Sequence, residues 1–75
     1  MKVTVQLKKD VGVRLPTLYN GVTRIEKGRA DSFMDPDELK SYGVKKNSSW
    51  TRLYMADGGT ATYSTNECII KVMEG

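Results

Sequence analysis

Histidine is absent from these 75 residues, and cysteine occurs once, as Cys68. Without histidine there is no Ser-His or Cys-His nucleophile system, and no side chain that titrates near neutrality by default. One cysteine excludes an internal disulfide framework, and without histidine it cannot complete a Cys/His zinc site. No apolar run approaches the roughly 20 residues of a membrane helix. The opening Met1-Lys2-Val3-Thr4-Val5-Gln6-Leu7 alternates apolar with polar residues, unlike the continuous apolar core of a signal peptide. The unpaired thiol suits a reducing interior. These absences lead us to expect a soluble cytoplasmic protein with no membrane partner.

Catalytic and cofactor signatures are missing as well. Cys68 sits in the apolar run Cys68-Ile69-Ile70-Lys71-Val72-Met73, the setting of a small buried thiol rather than a reactive thiolate. Lys40 and Ser41 are adjacent on a helix and point apart. Asp31, Asp35, Asp37 and Glu38 do not follow the calcium-loop spacing, and helix capping accounts for two of them. The glycines form neither GxGxxG nor GxxxxGK[ST]. No enzyme, metal or cofactor is expected.

A chain this short makes one domain, residues 1–75, and buries only about 60% of its unfolded surface. Small domains compensate with disulfides, a metal or oligomerisation. Elimination leaves a homo-oligomer as the open remedy.

The net charge of +3 conceals an asymmetry. Residues 31–38 hold four acids and no base, which leaves 12 bases against five acids elsewhere. If the acidic octet lies at one end, the remainder presents a basic face suited to nucleic acid, nucleotides or an acidic protein surface. The plainer reading is solubility.

Alternation predicts a first strand near Lys2 to Lys8, a turn at Lys9-Asp10, and a resumed strand over Val11-Gly12-Val13-Arg14-Leu15 before Pro16. Asn20-Gly21 is a hairpin signal, but Val22 and Ile25 are three apart. Either a bulge turns both inward, or Asn20-Gly21 joins an irregular segment to one strand near 21–26. A helix is expected over Pro36–Tyr42, with Asp35 as N-cap, Glu38 completing a capping box and Gly43 as exit. It should dock through Leu39 and Tyr42, being too short to persist alone. After the basic loop Lys45-Lys46-Asn47-Ser48-Ser49 comes a closing β unit, Trp50 to Glu74, with its turn at Asp57-Gly58-Gly59. Its last strand is apolar on both faces, which implies a central strand or one covered by a partner.

Trp50, Arg52 and Tyr54 share one face of a strand, and Tyr63 is expected opposite them. Two aromatics around an arginine are the materials of a base-stacking platform, with Lys45, Lys46, Arg24 or Lys71 to meet phosphates. The competing readings are cross-strand packing with arginine over the rings, or simply a core face carrying Trp50 and Tyr54.

The run Lys2 to Leu7, the segment Leu18 to Glu26, and Asp57-Gly58-Gly59-Thr60 leading into Cys68–Val72 together resemble the small orphan β-rich proteins of phages and prophages. The resemblance implies a compact β domain with one short helix. It also implies an accessory role in the host cytoplasm: sequestering a nucleotide messenger, binding nucleic acid, or inhibiting a host defence enzyme. The fold expected is α+β, with about five short strands in a mainly antiparallel curled sheet or partial barrel. The function expected is non-enzymatic binding of an anionic ligand, nucleotide or nucleic acid. A protein inhibitor, acting through a sheet edge or the acidic helix face, is the alternative. A structural or assembly subunit is the second.

Overall fold

The chain reversal after the first strand departs from the sequence pattern. In the computed structural model, which describes residues 1–73, β1 (Lys2–Leu7) runs into a 3-10 turn at Lys8–Asp10. No strand follows over 11–15. Gly12 takes φ +81°, and the amides of Val13 and Arg14 donate to the Asp10 carbonyl at 2.9 and 3.0 Å. A left-handed glycine inside an alternating stretch bends it back on itself, so the period of two there reports no pairing. Val11, Val13 and Leu15 are consequently 54, 76 and 92% exposed. Pairing resumes only beyond Pro16, in the short β2 (Thr17–Tyr19).

Asn20-Gly21 does not close a hairpin. It carries the chain out of one sheet and into another, and β3 (Val22–Arg29) pairs with β4 (Ser49–Met55) instead of β2. A register shift between Val22 and Arg24 brings Val22 opposite Met55 and Ile25 opposite Leu53, so the bulge does turn both inward. β5 (Thr60–Ser64) completes the order β3-β4-β5, and β6 (Cys68–Met73) completes β2-β1-β6. All neighbours are antiparallel. The class is small α+β as expected, but among the described residues there are six strands in two three-stranded sheets rather than about five in one. β6 lies at an edge, so its two-sided apolar character does not mark a central strand. Residue 74, the expected end of the closing unit, lies outside the described residues.

The sheets join at one corner, where Met1 and Val22 exchange backbone hydrogen bonds of 2.8 and 3.0 Å; no barrel closes among the described residues. Val3, Val5 and Cys68 from one sheet meet Val22 and Leu53 from the other. Alternation explains the selection: in β4, Thr51 and Leu53 are buried while Trp50, Arg52 and Tyr54 face outward. Thr51 is fully buried, and its hydroxyl is satisfied by that of Thr65 at 2.7 Å.

α1 (Pro36–Tyr42) has the expected capping box, with Asp35 accepting from the Glu38 amide at 2.8 Å and Gly43 leaving at φ +65°. Its docking differs. Leu39 is buried, whereas Tyr42 is 71% exposed. Seven residues make barely two turns, so one apolar position reaches the body and the next rotates past it.

Tyr19 and Tyr63, on the core-facing fringe, hydrogen-bond through their hydroxyls with rings in an edge arrangement. Burial first, then the bond to Tyr19, pushes the Tyr63 phenol from 10.0 up to about 12. The folded state therefore favours the neutral phenol. That contribution is complete below pH 10 and vanishes as the pH rises through about 12. Urea unfolding should show stability falling across this window, and Tyr63→Phe should flatten the fall. Identical alkaline profiles for the two proteins would refute the assignment.

Candidate functional site

The outward face of the second sheet holds three registered rows. Arg24 lies opposite Tyr54 and Thr60; Glu26 opposite Arg52 and Thr62; Gly28 opposite Trp50 and Ser64. Strand alternation puts all three β4 residues on this face, as their spacing predicts.

Their environments differ. At one end the Arg24 guanidinium lies 4.2 Å from the Tyr54 ring centre, and the Tyr54 hydroxyl donates to Glu26 at 2.7 Å. Arg24 also approaches Glu26 at 3.9 Å. This trio is internally satisfied: the arginine covers a ring face and meets its countercharge. Tyr54 and Arg24 thus follow the packing reading.

Arg52 is another matter. It is half-buried, and its Nε donates to Thr62 Oγ1 at 2.9 Å. One Nη2 proton goes to the Phe33 carbonyl at 3.3 Å, and the guanidinium lies 4.7 Å from the Phe33 ring centre. Glu26, its registered neighbour, is turned toward Tyr54 and Arg24. Among the described residues no carboxylate reaches salt-bridge distance of Arg52. A guanidinium has five N–H donors, so most of this fork stays open while its plane is fixed by the ring.

At the other end Trp50 borders an open depression of about 590 Å³. Met34, Tyr42 and Val44 supply apolar and aromatic walls, with Lys45, Ser64 and Glu67 as polar lining. The indole orientation is locked by a relay. Trp50 Nε1 donates to Ser48 Oγ at 2.9 Å, and Ser48 donates to the Lys45 carbonyl at 2.6 Å. The loop carrying Lys45 and Lys46 is held to the chain before α1 by the Asp31 amide, which donates to the Lys46 carbonyl at 3.1 Å. Both lysines are exposed, and only Lys45 lines the depression.

Two expected members fall elsewhere. Tyr63 pairs with Thr51 and therefore faces the core, where it meets Tyr19; the platform position opposite Trp50 belongs to Ser64. Lys71 pairs with Thr4 in the other sheet, far from this face in the fold. Conversely, Tyr42 and Phe33 were not anticipated. Tyr42 escaped because helix periodicity assigned it inward. Phe33 stands in an irregular stretch where no period indicates a face.

The resulting surface has two aromatics, Trp50 and Tyr42, at one depression, a pre-oriented guanidinium two residues along the strand, and a lysine at the rim. Glu67 admits only hydrogen-bond donors on its side, such as an amino or hydroxyl group. The buried Cys68 thiol is pushed up by burial and then by Glu67, against an opposing effect of Lys8, which keeps it protonated and unreactive. Among the described residues no helix is long and apolar enough to cross a membrane. No protein-family model matches the chain, and neither the curated proteins nor the solved structures offer a match.

Proposed function

We propose that this protein is a non-enzymatic accessory binder of a small anionic aromatic ligand, a nucleotide or one unstacked base of a nucleic acid. The observation that carries this reading is the half-buried Arg52 guanidinium, with no carboxylate partner among the described residues, two residues from Trp50. A partly desolvated cation lacking its counterion is less favourable than a paired one, and an incoming phosphate supplies the missing charge. Trp50 receives the base, Arg52 and Lys45 the phosphates, and Glu67 an amino or hydroxyl group.

A nucleotide fits better than a long strand for two reasons. The depression of about 590 Å³ falls within the range of small-molecule pockets. Arg24 already occupies the Tyr54 ring, so on the sheet itself only Trp50 is left to stack, with Tyr42 across the same depression, which suits one base held between two rings better than a run of stacked bases. In a phage setting such a binder would act by sequestration, removing a host signalling nucleotide without transforming it.

Trp50 is the sole tryptophan, so intrinsic fluorescence reports directly on the site. Titration with mono- and cyclic nucleotides should quench it, saturably and more weakly as salt rises. Native mass spectrometry of gently purified protein should show a defined extra mass. A bare chain together with flat titrations would overturn the ligand reading and transfer weight to inhibition of a host enzyme. Charge reversal at Asp37 and Lys40 would then probe that alternative.

A further inference from the structure

We propose that a second copy of this chain pairs antiparallel with the edge of β6, joining two three-stranded sheets into one continuous sheet about a two-fold axis. The proposal concerns the sheet opposite the candidate ligand site and does not depend on it.

The four sheet edges differ in how they are protected. β2 has three residues and follows Pro16. β3 carries a bulge and the charges of Arg24, Glu26, Lys27 and Arg29. β5 spans five residues, mostly hydroxylic. β6 is six residues long with no bulge, no proline and a single charge, Lys71, and among the described residues it pairs only with β1. Natural sheets blunt their edges with charge, proline, bulges or short length. β6 has almost none of these, so it is built to be covered.

Its side chains agree. Ile69, Val72 and Met73 are 37, 54 and 47% exposed along this one strand. The molecule is also thin, 37 × 30 × 15 Å, with a radius of gyration of 12.9 Å where a chain of this length averages about 11.4 Å. Its accessible surface is 5400 Å², whereas a monomer of 8.4 kDa averages about 4,600 Å². The surplus, roughly 800 Å² over the whole molecule, is of the size that one partner contributes to a standard interface, and the exposed apolar side chains of β6 supply part of it. A second copy fits this requirement because the strand complements itself.

Charge selects the register. Centring the axis on Lys71 would place two ammonium groups opposite each other. Centring it on Ile70 sets Ile69 against the partner's Lys71 and Cys68 against the partner's Val72. It also keeps both core faces on the same side of the joined sheet. Ile70 then faces its own copy, with Cα atoms about 4.5–5.5 Å apart.

Sedimentation equilibrium of the intact chain at micromolar concentration should give twice the 8.4 kDa chain mass. Ile69→Lys with Val72→Lys should weaken dimerisation at least tenfold while leaving the far-ultraviolet circular dichroism unchanged. If that variant does not fold, a cross-link decides. Cys68→Ser with Ile70→Cys should form a disulfide-linked dimer under mild oxidation, while Cys68→Ser with Leu15→Cys should not. A chain that stays monomeric at a hundred-fold higher concentration overturns the proposal. So does a dimer indifferent to the lysines that gives no Ile70→Cys cross-link, or a monomer whose β6 edge takes a foreign strand instead.

Discussion

Replacing Leu53 with alanine is expected to remove most of the stability of this protein. Leu53 is fully buried at the centre of β4, opposite Ile25 on β3 and Ala61 on β5, and it belongs to the cluster where the two sheets meet. Truncating a buried leucine costs about 2–5 kcal/mol, the larger values where the surroundings cannot collapse into the cavity. Here they are held by strand pairing on both sides, which favours the upper part of that range. A chain of this length has a total stability of about 4–11 kcal/mol, and small domains fall toward the lower end. The midpoint of urea unfolding should therefore fall sharply with little change in slope, because the surface exposed on unfolding is nearly the same. Leu15→Ala is the matched control. At 92% exposure its side chain buries almost nothing in the isolated chain, and the change should stay within about 0.5 kcal/mol. A neutral Leu53→Ala would mean that the sheets do not meet where Val3, Val5, Val22 and Cys68 place them.

The contrast between these two leucines shows where sequence reasoning succeeds and fails. Leu53 alternates with Arg52 and Tyr54 in a run free of glycine and proline, so the sequence separates the two faces, while which of them is the core is decided by the sheet packing. Leu15, in phase with Val13 and Val11, alternates equally well with Arg14 and Gly12, but Gly12 at φ +81° breaks the extension that gives alternation its meaning. Apolar periodicity identifies a buried face only if the backbone is extended, and a glycine within the run removes that guarantee. Capping chemistry was more dependable. Asp35, Pro36, Glu38 and Gly43 act through hydrogen bonds within one turn of sequence, so no tertiary information is needed to place them.

Pairing between distant segments was much less accessible. Asn20-Gly21 has hairpin chemistry, but whether β3 turns back on β2 or leaves for another partner depends on β4, some thirty residues away in the chain. The same limit governs the site. The shared face of Trp50, Arg52 and Tyr54 follows from a period of two and was legible. Assigning Tyr63 to that face required the β4–β5 register. One step of register exchanges the faces, and Tyr63 pairs with Thr51, so it belongs to the core. That Arg52 lacks a carboxylate depends on Glu26 turning toward Tyr54, a side-chain preference with no local signal.

The largest effect expected on ligand binding is that of Trp50→Ala. Stacking on an aromatic side chain is worth about 1–3 kcal/mol per base, so affinity should fall roughly 5- to 150-fold. Calorimetry must measure it, because the substitution deletes the fluorophore. Trp50→Phe should recover much of the loss, since the ring persists while the indole N–H bond to Ser48 is given up. Arg52 has to be separated from its structural role, because it also holds Thr62 and the Phe33 carbonyl. Arg52→Lys keeps the charge but loses the fork. Arg52→Ala loses both and should reduce the salt dependence of log K by about one ion released. If Arg52→Ala weakens binding without changing the salt slope, the guanidinium positions the face rather than meeting an anion. Lys45→Ala and Lys71→Ala complete the comparison. The first residue lines the Trp50 depression and the second belongs to the other sheet, so only the first should weaken binding. Equal losses from both would indicate a diffuse attraction to net positive charge, and the open arginine two residues along the strand from Trp50 would then have no ligand of its own.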